Sequence, residues 1–411
     1  MMRNSVITLI ALLFAFSAMA DGQYSVAPRM NIYSHADDNL LLGSATAIQT
    51  WGTDTGLSFD MKRQSERLTT DLAPRVNLRR FVVNSGFDAD EYGARLNNMW
   101  KDERFSLGLD VGYLRDSTLI TEATDSGLTN DVVNRDSIDV TPTLVWLVND
   151  RWQAQFSMSY NDISYANGAT TGLLDYRYLM GSSTVTYACD ATTQIFSTLF
   201  SSDFDVPIIG NHTRTYGVEM GMTKILTETI SVTGAVGYVS SDIESVEQRL
   251  QLISKPPPPH LGVIEVPVST NSTGPIANFS LQKQLATSSL AKLDYSRQLS
   301  PGGRGAQTIA DHIAVRTDLK LKGNWLLTLS GSHDMRNSEG GVTVSDTDRD
   351  YTEGRTTLSY ELAREWTVSG SYRFAYRKNT GLSTASASGH GIALTIEYNG
   401  LERPLSFING L

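Results

Sequence analysis

Arg373 and Arg377 stand four residues apart in a stretch that alternates apolar and polar side chains. On an extended chain, residues four apart share one face and are separated by about 13 Å, at roughly 3.3 Å of rise per residue. Two guanidinium forks at that distance suit one elongated anionic or hydroxylated chain, because each fork matches the geometry of a carboxylate. Arg75, Arg79, Arg95, Arg104, Lys292 and Arg316 occupy comparable polar positions, with Asp110, Glu219, Asp294, Asp318 and Glu397 as acidic counterparts. Such a set can select charged or polar solutes. It can equally hydrate a wall through cross-strand ion pairs.

Catalytic chemistry has little footing. The six histidines are His35, His212, His260, His312, His333 and His390. Most fall in polar connections or near segment ends. His390 with Ser388 could imitate a base and its nucleophile, but Ser and Asp are abundant in every connection, so such pairings arise by chance. No phosphate loop, dinucleotide fingerprint or metal motif occurs. Asp346-Thr-Asp-Arg-Asp350 has the acidity of a calcium loop without its Gly and distal Glu. The single cysteine, Cys189, excludes a disulfide framework. The reading is a non-enzymatic protein with no metal site and no cofactor. A net charge of −10 without a basic tract argues against a nucleic-acid partner.

The elements that must position these side chains have period two. Phe105, Leu107, Leu109, Val111 and Tyr113 share one face, and Arg104, Ser106, Gly108, Asp110 and Gly112 the other. In 365–377, Trp366, Val368, Tyr372, Phe374 and Tyr376 oppose Thr367, Ser369, Ser371, Arg373 and Arg377. Segments 151–160, 213–224, 228–238, 323–332 and 390–398 alternate likewise. Successive strand side chains point to opposite faces, so each segment is a strand with one apolar and one polar side. A mean hydropathy of −0.20 fits a chain whose strands are apolar on one side only.

Short and long connections alternate along the chain. Short turns are expected at Gln64-Ser65-Glu66, Lys101-Asp102-Glu103, Asn149-Asp150, Asp190, Thr227-Glu228, Ala286-Thr287, Gly323-Asn324 and Ala363-Arg364. Longer polar connections span 35–53, 82–90, 117–134, 163–174, 202–212, 241–274, 299–308, 336–350 and 379–387. These connections imply eighteen strands, or sixteen if 24–34 and 54–63 are not strands. The fold class is all-β: one transmembrane, antiparallel, up-and-down β-barrel with short periplasmic turns and long extracellular loops. Apolar faces then meet lipid and the polar faces line a lumen. Eighteen strands enclose more space than inward Ser, Thr, Gly and Ala can fill.

Trp100, Trp146, Trp152, Trp325 and Trp366 all lie within a few residues of an expected short turn. Tryptophan favours the membrane–water interface, so these five are expected to form an aromatic girdle at one rim. Residues 1–20 read as a secretory signal peptide, with Arg3, an apolar core from Val6 to Phe16, and Ala18-Met19-Ala20 before the cut. Residues 21–411 are then one barrel domain, with strands within 24–399 and a tail over 400–411. The longest connection, 241–274, holds Lys255 and four prolines to Pro259. It is expected either to fold over or into the lumen or to stand in solvent.

An early strand followed by Asp37-Asp38-Asn39, then Pro74-Arg75 leading a strand, then Asp88-Ala-Asp-Glu-Tyr-Gly93, resembles porin-like outer-membrane barrels of Gram-negative bacteria. More narrowly, it resembles the barrels found beside exopolysaccharide synthesis and export clusters. The resemblance implies residence in the outer membrane, with lipid, lipopolysaccharide and the barrel-assembly machinery as partners. It also implies a pore or export accessory for polar solutes, saccharide among them; the alternative is a structural or adhesion barrel with a loop-filled lumen. The chain departs from the usual aromatic ending, since Phe407 is followed by Ile-Asn-Gly-Leu411.

Overall fold

The computed structural model describes residues 22–43, 47–121, 132–167, 172–253, 260–301, 307–338, 349–379 and 385–404. The expected signal peptide lies outside them, as do Lys255–Pro259, the acidic segment 346–348 and the end of the tail.

Eighteen antiparallel strands form one sheet in chain order. The sheet closes where β1 (Gln23–Asp37) pairs with β18 (Ser386–Asn399), from Arg29 opposite Asn399 to Asp37 opposite Gly391. Closure leaves no strand edge unpaired, as a hydrocarbon surrounding requires. The sixteen-strand fallback is set aside, because β1 and β2 (Thr50–Gln64) pair over their whole length. A two-residue strand, β19 (Arg403–Pro404), returns the tail to Ser25 and Val26.

All eight short turns fall where the sequence places them. At one of them the Asp190 carboxylate accepts from the backbone N–H of Thr192 at 2.7 Å. The Thr192 hydroxyl donates to it at 2.7 Å as well. These bonds stabilise the ionised form and hold the carboxyl below its usual range.

Two long connections differ from expectation. The one placed at 202–212 is a tight turn of Pro207–Gly210 between β9 (Thr193–Val206) and β10 (Asn211–Thr227), with Gly210 at φ 60. The Ser and Asp residues there read as loop. Asp203 and Asp205 alternate instead with Phe204 and Val206, which are fully buried and carry the strand onward. The second is 241–274. β11 (Ile230–Ile253) and β12 (His260–Ala286) continue their ladder from Glu244 opposite Ser269 to Ile253 opposite His260. β10 stops pairing at His212, opposite Glu244, so the hairpin rises alone above its neighbours. Mutual pairing satisfies the backbone groups that each strand turns toward the other.

The outer face carries the apolar parity. Val236 is 69% exposed, Ile392 64%, Met220 63% and Leu199 61%. Side chains this apolar and this exposed fit a hydrocarbon surrounding. Aromatic pairs sit at the short-turn rim of that face. Trp152 lies 4.6 Å from Tyr187, Trp325 4.6 Å from Tyr360, and Trp366 4.9 Å from Tyr398, each pair directly cross-strand. Trp146 stacks on Phe105 at 6.1 Å, and Trp100 faces Leu107.

Candidate functional site: the lumen wall

Pairing register carries the inner face from strand to strand without a break. Ser58 lies opposite Arg75 and Arg75 opposite Gly93; Gln282 lies opposite Lys292, and Lys292 opposite Arg316. Arg75, Arg79, Arg95, Arg316, Arg373 and Arg377 all fall on the inner parity, as do Asp110, Glu219, Asp294, Asp318 and Glu397. Arg104 does not: it lies in the turn before β5 (Phe105–Ser117) and is no part of the wall. A cavity of about 940 Å³ occupies the polar side of the lumen and reaches Arg75, Arg79, Arg316, Arg355, Glu91 and Glu397.

Most of the arginines are engaged by carboxylates, on a neighbouring strand or two residues along their own. Arg79 is 3% exposed and donates from Nε and Nη2 to Asp54, each at 3.0 Å. Its Nη1 stands 3.2 Å from Glu91 but out of line for a hydrogen bond. Arg95 donates to Asp110 at 2.8 Å, and Arg316 to Asp318 at 2.9 Å. Arg75 is different. It is exposed, and among the described residues it has no hydrogen bond or ion pair.

Arg373 and Arg377, the pair whose spacing fits a solute contact, are both engaged by groups of the protein itself. Arg373 donates to Glu353 at 3.1 Å and to the Tyr351 hydroxyl at 3.0 Å, and lies 3.6 Å from Asp37. Arg377 donates to the carbonyl of Leu42 at 2.8 Å. Leu42 belongs to the connection after β1, whose described residues 38–43 turn inward. Its side chain is 1% exposed and packs with Tyr351, Ala375 and Ala387. Asp38 and His390 exchange backbone and side-chain hydrogen bonds, and Asn39 donates to the carbonyl of Ser388 at 3.0 Å. Among the described residues, the inward fold comes from the first long connection.

Other inward residues escaped the sequence reading. Arg355 lines the cavity beside Thr357 and Ser359, on the strand β16 (Arg349–Ala363). Arg135 and Asp116 form a buried bidentate pair at 3.0–3.1 Å. Tyr165, Tyr176 and Phe204 pack with Leu173 of the connection 166–175 into an apolar inner cluster. That cluster makes the lumen two-sided, charged on one wall and aromatic on the other. His390 lies on the outer parity, with Nδ1 2.7 Å from the Tyr372 hydroxyl. Ser388 shares that parity and faces no lumen group. Among the described residues, no group of three or more His, Cys, Asp or Glu could hold a metal ion.

An apolar exterior, an aromatic rim at the short turns and a charged interior cavity now stand together. The fold is a closed, eighteen-stranded antiparallel β-barrel with an apolar outer face. No protein-family model and no curated protein sequence matches the chain. Among solved structures, the barrel is similar to OpdO of Pseudomonas aeruginosa, with a TM-score of 0.47 and 11% identity over 92% of this chain and 97% of that one. It is similar to OccAB4 of Acinetobacter baumannii, with a TM-score of 0.46 and 9% identity over 93% and 99%. The ferric-catecholate import receptor Fiu of E. coli, in its closed form, gives 0.47 and 9% over 92% and 82%.

Proposed function

We propose that this outer-membrane barrel is a pore for polar solutes, with saccharide as the candidate class and polysaccharide export as the finer reading. Lipid and lipopolysaccharide then surround it, the barrel-assembly machinery inserts it, and the short-turn rim faces the periplasm. The observation that carries the reading is the cavity of about 940 Å³ with Arg75 unengaged on its wall. A filled lumen would pair that guanidinium, because an unpaired charge away from water is costly. Arg75 is therefore a wetted group, free to attract anionic parts of a solute.

Single-channel conductance in a planar bilayer tests this. The wild-type barrel should conduct, and Arg75→Ser should shift ion selectivity toward cations. The shift should shrink at high salt, where screening shortens the reach of the charge. Absence of any conductance would favour the second reading, a structural or adhesion barrel. The inward segment 38–43 and the cluster around Leu173 are the features that support that alternative.

A further inference from the structure

We infer that the wall opposite the arginines holds a saccharide-binding platform built from Phe196, Phe200, Thr184, Thr198, Glu219 and Asn278. This deepens the pore reading and rests on it. β9 is apolar on both faces at its centre. Ile195 and Leu199 are exposed to the outside, while register carries Phe196 and Phe200 to the inside, opposite Gly221 and Gly217. The glycines explain the ring positions. A Cβ at 217 would lie 2.1 Å from the Phe200 ring, and one at 221 would lie 2.4 Å from the Phe196 ring. Each ring therefore lies across the neighbouring strand instead of projecting into the lumen. Both are half-buried and rest on glycine.

The two rings stand about 13 Å apart along the strand. Polar groups fill the interval between them. Thr198 sits directly opposite Thr184 on one side and Glu219 on the other. The two threonine hydroxyls are 2.9 Å apart, and Asn278 donates to Glu219 at 2.7 Å. A pyranose offers the matching chemistry. Its C–H faces pack on aromatic rings, whose π faces carry partial negative charge. Its equatorial hydroxyls need donors and acceptors at the ring edge, which threonine, glutamate and asparagine supply. The rings hold the chain of sugars and the polar groups between them orient it. The opposite wall, with Arg75 and Arg316, meets any acidic substituent.

The test uses cellohexaose, a neutral linear oligosaccharide, with the full barrel in a planar bilayer. Wild type should show transient interruptions of ionic current. The double variant Phe196→Leu/Phe200→Leu keeps apolar bulk over the glycines and loses the planar faces. Its interruptions should be roughly tenfold shorter, as two lost stacking contacts imply. Phe196→Tyr/Phe200→Tyr should restore them. Equal interruption times in the wild type and the leucine variant would overturn the platform, and so would an open channel that cellohexaose never interrupts. Calorimetric titration of cellohexaose into the detergent-solubilised barrel needs no current. Binding that depends on the two rings in a barrel that does not conduct would keep the platform and remove the pore. No calorimetric binding in a conducting barrel would do the reverse.

Discussion

Arg377 Nη2 donates to the carbonyl oxygen of Leu42 at 2.8 Å, across 335 residues of chain. The bond joins the lumen wall to the inward turn of the first long connection. Leu42 has φ 49, a left-handed conformation that branched or bulky residues disfavour, so surrounding contacts must hold it. Its buried side chain on Tyr351 and Ala375 supplies one hold and Arg377 the other. Substituting Arg377→Ala should free the connection from the wall without unfolding the barrel. The expected result is a larger and noisier single-channel conductance, with unchanged heat stability in detergent. A quiet, unchanged conductance would mean that the turn does not narrow the path.

Arg79 lies between Asp54 and Glu91, with side chains 3%, 13% and 14% exposed. Arg79→Leu would leave two carboxylates facing each other without their cation. Removing one partner of a buried ion pair costs about 3–5 kcal/mol, because the remaining charge stays desolvated. Urea unfolding of the barrel in detergent should show a loss of that order. The double variant Arg79→Leu/Asp54→Leu should recover part of it.

Leu394 and Thr395 are neighbours on β18 that face opposite ways. Leu394 is 52% exposed on the outer face, and Thr395 lines the cavity. Leu394→Arg should cost about 2–4 kcal/mol, since an arginine near the bilayer midplane must be desolvated. Thr395→Arg should leave stability nearly unchanged and alter conductance. Folding titrations in lipid vesicles measure the first effect, and a larger loss from Thr395→Arg would reverse the assignment of faces.

The Trp325–Tyr360 and Trp366–Tyr398 pairs are tilted contacts at 4.6 and 4.9 Å. A double-mutant cycle to alanine at either pair should return a coupling of about 0.5–1.5 kcal/mol. Lipids brominated near the headgroup should quench the fluorescence of these tryptophans more strongly than lipids brominated at the chain ends. The opposite order would remove the girdle from the interface.

Gly217 and Gly221 differ in what an added methyl would meet. At 217 the nearest atoms belong to the Phe200 ring alone, whereas at 221 the carbonyl oxygen of Gly234 also lies 2.7 Å away. A ring can swing aside and a ladder carbonyl cannot. Gly221→Ala should therefore destabilise by about 1–3 kcal/mol, in the range of overpacked sites. Gly217→Ala should cost less and reduce conductance, as the Phe200 ring lifts into the lumen.

Period-two alternation by itself determined that Phe105 to Tyr113 and Trp366 to Arg377 are strands, that their apolar sides face outward, and that tryptophans mark one rim. These are local properties: a strand must turn successive side chains to opposite faces, and a bilayer accepts only one of them. The spacing of turns determined the strand number for the same reason. What Arg373, Arg377 and Arg75 each do was decided by the closed barrel. Arg373 meets Asp37, and Arg377 meets Leu42, only because β18 returns to β1. Arg75 is left open because no carboxylate stands across from it, only Ser58 and Gly93. Phe196 and Phe200 were hidden by the outward apolar residues beside them, which blur the alternation of β9. Their inward direction follows from register with Gly221 and Gly217, and register is a relation between strands, not within one.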